Sequence, residues 1–458
     1  MRLHRVAERC LGRLGAGKAT RLVLSLFFKA VLGIPRVFHF ETLNDLGFAI
    51  LTGGKKVLSR TVLGGLVRAA PVKGGLRFVR ATQPTLHSAD GTTISIDEHV
   101  IARFTRKFAI RKGFHTIRNK HMKVEKLFYP FSVGGRKLLS LIVTRGNAGL
   151  AAISQKLLVP LRRRARGRTL RVILDAGAAQ DHQALLALAQ HPRQVTLVRV
   201  PRKPAYRQRW AKLPASAWQR LEEPGPFTKA PPKAIHVAET RMQLGSSSKD
   251  PAARHADVRT ILVREQARRG KERWHALWVF GDDVTPSFDL VREFRTRQHH
   301  EQTYRILLHD AFVDTAPSGY HKNSRNVRRP GFRQNAITLY TWIAALATNT
   351  LDALTRSLPK PFLHAHPRTL RRWIFNIEAD LFLGKDTLIV LLHPRRLQSL
   401  WEHLVRRANR HPVRIPWLEN RRLILALDRP GTCRPTSSRA ATPEGSFDPG
   451  NGRPSVWC

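Results

Sequence analysis

Between residues 92 and 202 apolar runs of strand length alternate with helix-length segments, and this succession restricts the fold more than any other feature of the chain. TTISIDEHVIARF (92–104) reads as a strand. KLFYPFSV (126–133) and KLLSLIVTRG (137–146) read as two more, joined at Gly134 and Gly135, which suit a hairpin turn. NAGLAAISQKLLVPLRRRARGR (147–168) reads as a helix capped by Asn147. TLRVILDAG (169–177) is a compact strand, DHQALLALAQHP (181–192) a short helix and QVTLVRVPR (194–202) a further strand.

Three strands, a helix, a strand, a helix and a strand make the core order of an RNase H-like sheet. The expected fold class is therefore α/β: an RNase H-like core with an N-terminal helical DNA-binding region and a β-rich insertion. Residues 1–90 are basic, and ETLNDLGFAILTGGKKVLSRTVLGGLVRAAP (41–71) holds two short apolar-periodic segments, the second with Ser59 as its N-cap. That pair suits a helix-turn-helix unit or plain packing equally. Residues 91–202 form the first part of the core. From 203 to 271 the periodicity fails, Pro and charge rise, and the stretch reads as an inserted β subdomain. Residues 272–428 resume with a strand, RWHALWVFGDD, a long helix over 294–312, an apolar helix around Trp342 and a strand–helix–strand end. The Pro-, Gly- and Ser-rich tail, 429–458, has the composition of a disordered segment.

Three acids stand at positions where such a sheet builds sites. Asp97 lies within its strand, Asp175 ends its own, and Glu301 sits in FRTRQHHEQTYRILLHDAF, where Glu301, Tyr304, Arg305, Leu308 and Phe312 recur at helical spacing. A lone Asp at a strand end is ordinarily a turn residue, and a lone Glu among arginines an ion-pair partner. Jointly placed, the three are hard oxygen ligands suited to two Mg²⁺ ions, or Mn²⁺ in their stead, about 4 Å apart for phosphoryl displacement. Asp282 and Asp283 are rivals that read more simply as the cap of the following helix.

Composition points to the partner. The chain's 80 Lys+Arg against 32 Asp+Glu give a formal charge of +48, a field that draws polyanions with steep salt dependence. Hydrophobic residues at 42% supply a large core, which rules out a basic tail without structure. Cys10, Cys433 and Cys458 make no CxxC pair and fit a reducing compartment. Lys29 interrupts the apolar run 22–34, so no membrane span is expected and the location reads as cytoplasmic. GRLGAGKAT (12–20) imitates a phosphate loop but has Ala19 in the Ser/Thr position and no strand before it.

Residues 92–145, 169–202 and 273–320, with the helical stretch after Asn335, resemble the DDE transposases of bacterial insertion sequences, the cut-and-paste class with a β insertion before the last acid. SIDE around Asp97, ILDAG around Asp175 and HEQTYR around Glu301 carry the resemblance. The family's Tyr-x2-Arg-x3-Glu-x6-Lys helix pattern is matched by Arg297 and Glu301, while Phe294 stands at the tyrosine position and Leu308 at the lysine position, with His309 beside it. The resemblance implies catalytic, metal-holding Asp97, Asp175 and Glu301. It also implies binding of inverted-repeat transposon ends and target DNA, and a homodimer in the synaptic complex. Arg297, Tyr304, Arg305 and His309 then become candidate DNA contacts. So do Arg106, Lys107, Arg111, Lys112, Arg118 and Lys120, in a segment that interleaves cations with Phe104, Phe108 and Phe114. A transposase-derived protein that binds DNA without cutting it is the alternative.

Overall fold

The computed structural model describes residues 2–84, 86, 91–104, 112–115, 118–165, 167–223, 233–245, 254–266, 272–316, 335–363 and 365–428. These divide into two compact units, one of residues 79–305 with 335–338, the other of residues 2–78, 306–316 and 339–428. Among the described residues no helix is long and apolar enough to cross a membrane.

The chain begins with helices α1 (Leu3–Leu11), α2 (Ala16–Leu32), α3 (Leu46–Leu51), α4 (Arg60–Ala69) and α5 (Val72–Ala81). Ser59 caps α4 as its position predicts, its Oγ accepting from the Val62 N–H at 3.3 Å. Gly33 ends α2 in the left-handed conformation, φ 72°, which costs glycine no Cβ clash. Lys29 of α2 is 1% exposed, with its ammonium 5.0 Å from the Tyr340 ring centre and 5.9 Å from that of Phe312.

Residues 79–305 are built on an eleven-stranded sheet. Its strands are β1 (Thr93–Ala102), β2 (Lys112–His115), β3 (Lys120–Ser132), β4 (Lys137–Leu138), β5 (Ile142–Arg145), β6 (Leu170–Leu174), β7 (Gln194–Arg199), β8 (Gln219–Glu223), β9 (Lys233–Leu244), β10 (Ala256–Gln266) and β11 (Glu272–Phe280). The order is β2-β3-β1-β6-β7-β11-β10-β9-β8, with β4 and β5 also on β3. β3 runs antiparallel to β1, whereas β6 is parallel to both β1 and β7. The stretch read as an inserted subdomain contributes β8, β9 and β10, which continue the same sheet beyond β11.

Alternation along the central strands assigns the two faces. Ile94, Ile96, Val172 and Leu174 pack on one side with Leu157 and Leu158 of α6 (Leu150–Arg164) and Leu185 and Leu186 of α7 (His182–Ala189). Ile173, Leu197 and Leu277 pack on the other with Leu290, Val291 and Phe294. Each such aliphatic side chain contributes about 1.5–3 kcal/mol by leaving water. The cap of α6 is Gly149, in extended conformation, and not Asn147, which falls in the turn after β5.

Helix α8 (Pro204–Ala211) precedes β8, and β11 leads to α9 (Ser287–Arg295) and α10 (Arg297–His309). The single helix expected over 294–312 is thus broken. Thr296 ends α9 by turning both its N–H and its hydroxyl onto the Glu293 carbonyl, at 3.0 and 2.6 Å. Asp282 and Asp283 do not cap α9, whose N-cap is Pro286. Instead Asp282 accepts from the Thr285 N–H at 2.9 Å and pairs with Arg171 at 3.1 Å, and Arg171 also grips Glu293 at 2.7 Å.

The remaining elements are α11 (Asn335–Ser357), α12 (Pro367–Leu370), β12 (Glu378–Leu383), β13 (Thr387–His393), α13 (Gln398–Arg410), β14 (Arg414–Ile415) and β15 (Arg421–Leu427). The four strands order as β12-β13-β15-β14, with β13 and β15 parallel across the α13 connection.

Candidate active site

Asp97 and Asp175 are neighbours by register. β1 and β6 are parallel, and their last pair is Ile96 with Leu174, so each acid is the next residue of its strand. Adjacent strands lie about 4.8 Å apart, which brings the two carboxylates to one edge of the same face. Opposite alternation from Ile96 and Leu174 turns both acids away from α6 and α7.

Glu301 reaches them through Arg297. The Arg297 Nη2 donates to Asp97 Oδ2 at 2.8 Å and lies 3.5 Å from Asp175 Oδ2, while Nη1 donates to Glu301 Oε1 at 2.5 Å. One guanidinium therefore contacts all three predicted acids. Its side chain is 10% exposed, that of Asp97 16%, and Glu301 lies on the outer side of α10. The break at Thr296 matters here, because it starts α10 at Arg297 and lets that side chain turn back onto the sheet.

The electrostatics follow from burial. Desolvation pushes the Asp97 carboxyl up to about 6, with Asp175 adding to the rise and Arg297 opposing it. Burial works against the charge on Arg297, but Asp97, Asp175 and Glu301 outweigh it and raise its pKa above the ordinary value. Asp175 Oδ1 is buried without a hydrogen-bond partner, and Arg199 is 3.9 Å away. Asp97 and Asp175, but not Glu301, border a cleft of about 280 Å³, lined also by Glu98, His99, His115, Leu150 and Gln180.

Three carboxylates are the hard-oxygen donor set that Mg²⁺ or Mn²⁺ takes, and Asp175 Oδ1, which accepts no hydrogen bond, is a further donor atom although Arg199 lies near it. The donor chemistry fits. Their spacing is set by a guanidinium, and among the described residues no three His, Cys, Asp or Glu side chains close around a single point.

The inner face of α10 was not read from the sequence. His300 is 0% exposed, stacks on Phe131 at 5.0 Å and 9°, and sets Nδ1 3.0 Å from Ser95 Oγ. Burial, then Arg297, holds its pKa well below 6.5, so the ring is neutral at physiological pH. Tyr304 is buried and donates its hydroxyl to the Asp97 carbonyl at 3.0 Å. Tyr304 is thus no outward DNA contact; His300, Tyr304 and Leu307 form the packed stripe of α10. Arg305 and His309 are exposed, Leu308 is half-buried, and Phe312 lies beyond the helix with φ 54°.

Of the basic candidates, Lys112, Arg118 and Lys120 are exposed on and beside the β2–β3 hairpin, with the Arg118 guanidinium 5.0 Å over the ring of Phe104. Phe104 and Phe114 are also exposed. Arg106, Lys107, Phe108 and Arg111 lie outside the described residues, as do residues 321–333 and 429–458.

No family model matches the chain, and no curated protein does. Among solved structures it is similar to a cryo-EM structure of the piggyBac transposase synaptic complex with hairpin DNA. The identity is 12% and the TM-score 0.40, over 78% of this chain and 71% of that one.

Proposed function

We propose that this chain is a DDE transposase, cutting DNA at transposon ends and joining them to target DNA, with Asp97, Asp175 and Glu301 as its catalytic acids. The observation that carries the reading is the meeting of all three on Arg297, since Asp97 and Glu301 are 204 positions apart in the chain. The sheet supports it. The run β5-β3-β1-β6-β7, antiparallel as far as β1 and parallel after it, is the arrangement of an RNase H-like core.

Mg²⁺ held by Asp97, Asp175 and Glu301 would activate the attacking oxygen and stabilise the leaving one. The chain's own residues do the positioning. Tyr304 fixes the Asp97 backbone against α10, and neutral His300 packs beside Arg297 without competing for its acids. Exposed Lys112, Arg118 and Lys120 would hold DNA phosphates, and the chain would act as a homodimer on paired ends.

One observation favours the second reading, a DNA-binding protein that no longer cuts: the acids are already neutralised in part by Arg297. Strand cleavage decides. Wild-type protein with Mg²⁺ or Mn²⁺ is expected to nick duplex DNA carrying its own inverted repeats, while Asp97→Asn, Asp175→Asn and Glu301→Gln leave it whole and, with the metal chelated, bind it as wild type does. Retardation of the DNA without any metal-dependent nick would establish the second reading.

A further inference from the structure

We propose that Arg297 is the resident counter-ion of the three-acid site, leaving when a divalent cation enters, so that DNA phosphate and metal load the site together. The proposal rests on the catalytic reading of Asp97, Asp175 and Glu301 and adds how their occupancy is controlled.

The seat is defined by what already fills it. Nη2 lies between Asp97 and Asp175, Nη1 is on Glu301, and the guanidinium supplies one positive charge to three carboxylates. Like-charged groups this close need a cation to stay ionised together. A divalent ion offers twice the charge at shorter range, but to reach the same oxygens it must part Arg297 from Asp97 and Glu301. Metal affinity in the DNA-free protein is lowered by whatever that separation costs.

The guanidinium can leave because of where it starts. Arg297 is the first residue of α10, on a long unbranched side chain, and its Nε is buried without a partner, so its hold on the backbone side is slight. A phosphodiester is a natural alternative partner, since the guanidinium fork matches phosphate oxygens as well as carboxylate oxygens. A DNA backbone reaching the cleft beside Asp97 and Asp175 would therefore draw Arg297 off and open the acids. By linkage, metal then strengthens DNA binding by the same factor. The device keeps the acids from binding metal idly when no strand is present to be cut.

The test is direct Mn²⁺ binding to the full chain without DNA, read from the electron paramagnetic resonance signal of free Mn²⁺ at pH 7.5. Arg297→Gln is expected to bind Mn²⁺ about tenfold more tightly than wild type, the scale of one partly buried ion pair. Arg297→Lys keeps the charge but cannot bridge three carboxylates, and should bind severalfold more tightly; if the glutamine variant does not fold, the lysine variant decides alone. Equal or weaker binding by both variants overturns the proposal. Asp97→Asn separates the two claims. If it weakens Mn²⁺ binding while the arginine variants leave it unchanged, the acids hold metal and only the displacement is wrong. If no protein binds Mn²⁺ at all, both claims fall.

Discussion

The Tyr304 hydroxyl donates to the main-chain carbonyl of Asp97 at 3.0 Å, tying the helix that carries Glu301 to the strand residue whose side chain meets Arg297. The Tyr304 ring packs against those of Tyr129 and His300, and burial followed by the Asp97 charge raises the tyrosine pKa well above 10, so the hydroxyl keeps its proton. Tyr304→Phe removes the donor and keeps the ring. Its expected cost is about 1–2 kcal/mol in urea unfolding, the penalty for a buried acceptor left without its donor. DNA affinity should be unchanged. A loss of affinity with no loss of stability would return Tyr304 to the DNA surface.

The exposed cations of the β2–β3 hairpin make a different prediction. Substituting Lys112, Arg118 and Lys120 together with alanine should lessen the slope of log affinity against log salt by about 2–3, since each phosphate contact contributes about 0.9. Fluorescence anisotropy of a labelled duplex across a salt series measures it. An unchanged slope would show that DNA is held on another face of the protein.

Lys29 makes the stability of the fold depend on pH. Burial, and then nearby Arg371, lowers its pKa from 10.5 to about 7. Above pH 7 the unfolded chain keeps this proton and the folded chain releases it, so the lysine destabilises the fold near neutrality and stability is regained as pH rises towards 10. Lys29→Met should therefore stabilise the protein at pH 7 by roughly 2–4 kcal/mol and flatten the rise between pH 7 and 9. Parallel pH–stability curves for the two proteins would contradict this.

The central strands could be read from the sequence because their signals are local. β1, β6 and β7 are short apolar runs bounded by Asp, Gly or Pro, and Ser59 stands directly before the helix it caps. The break at Thr296 could not, because RTRQHHEQ is helix-compatible throughout and a hydroxyl bond to Glu293 decides the matter. Tyr304 was expected to contact DNA and His300 carried no expectation, yet both are buried, against Tyr129 and Phe131, which lie far away in the chain. Lys29 looked like a break in an apolar run and is instead enclosed by rings from Phe312 and Tyr340. The three acids were visible as candidates. Arg297 stood out by its spacing to Glu301, but as a DNA contact; its pairing with Asp97 and Asp175 depends on strands far away in the chain.

The most direct test is where manganese scatters in a crystal of the protein bound to duplex DNA carrying its inverted repeats and soaked in Mn²⁺. The expected result is an anomalous peak bonded to Asp97 and Asp175 and facing Glu301, with the Arg297 guanidinium swung clear of all three. Manganese bound elsewhere, with Arg297 still bridging the carboxylates, would contradict it.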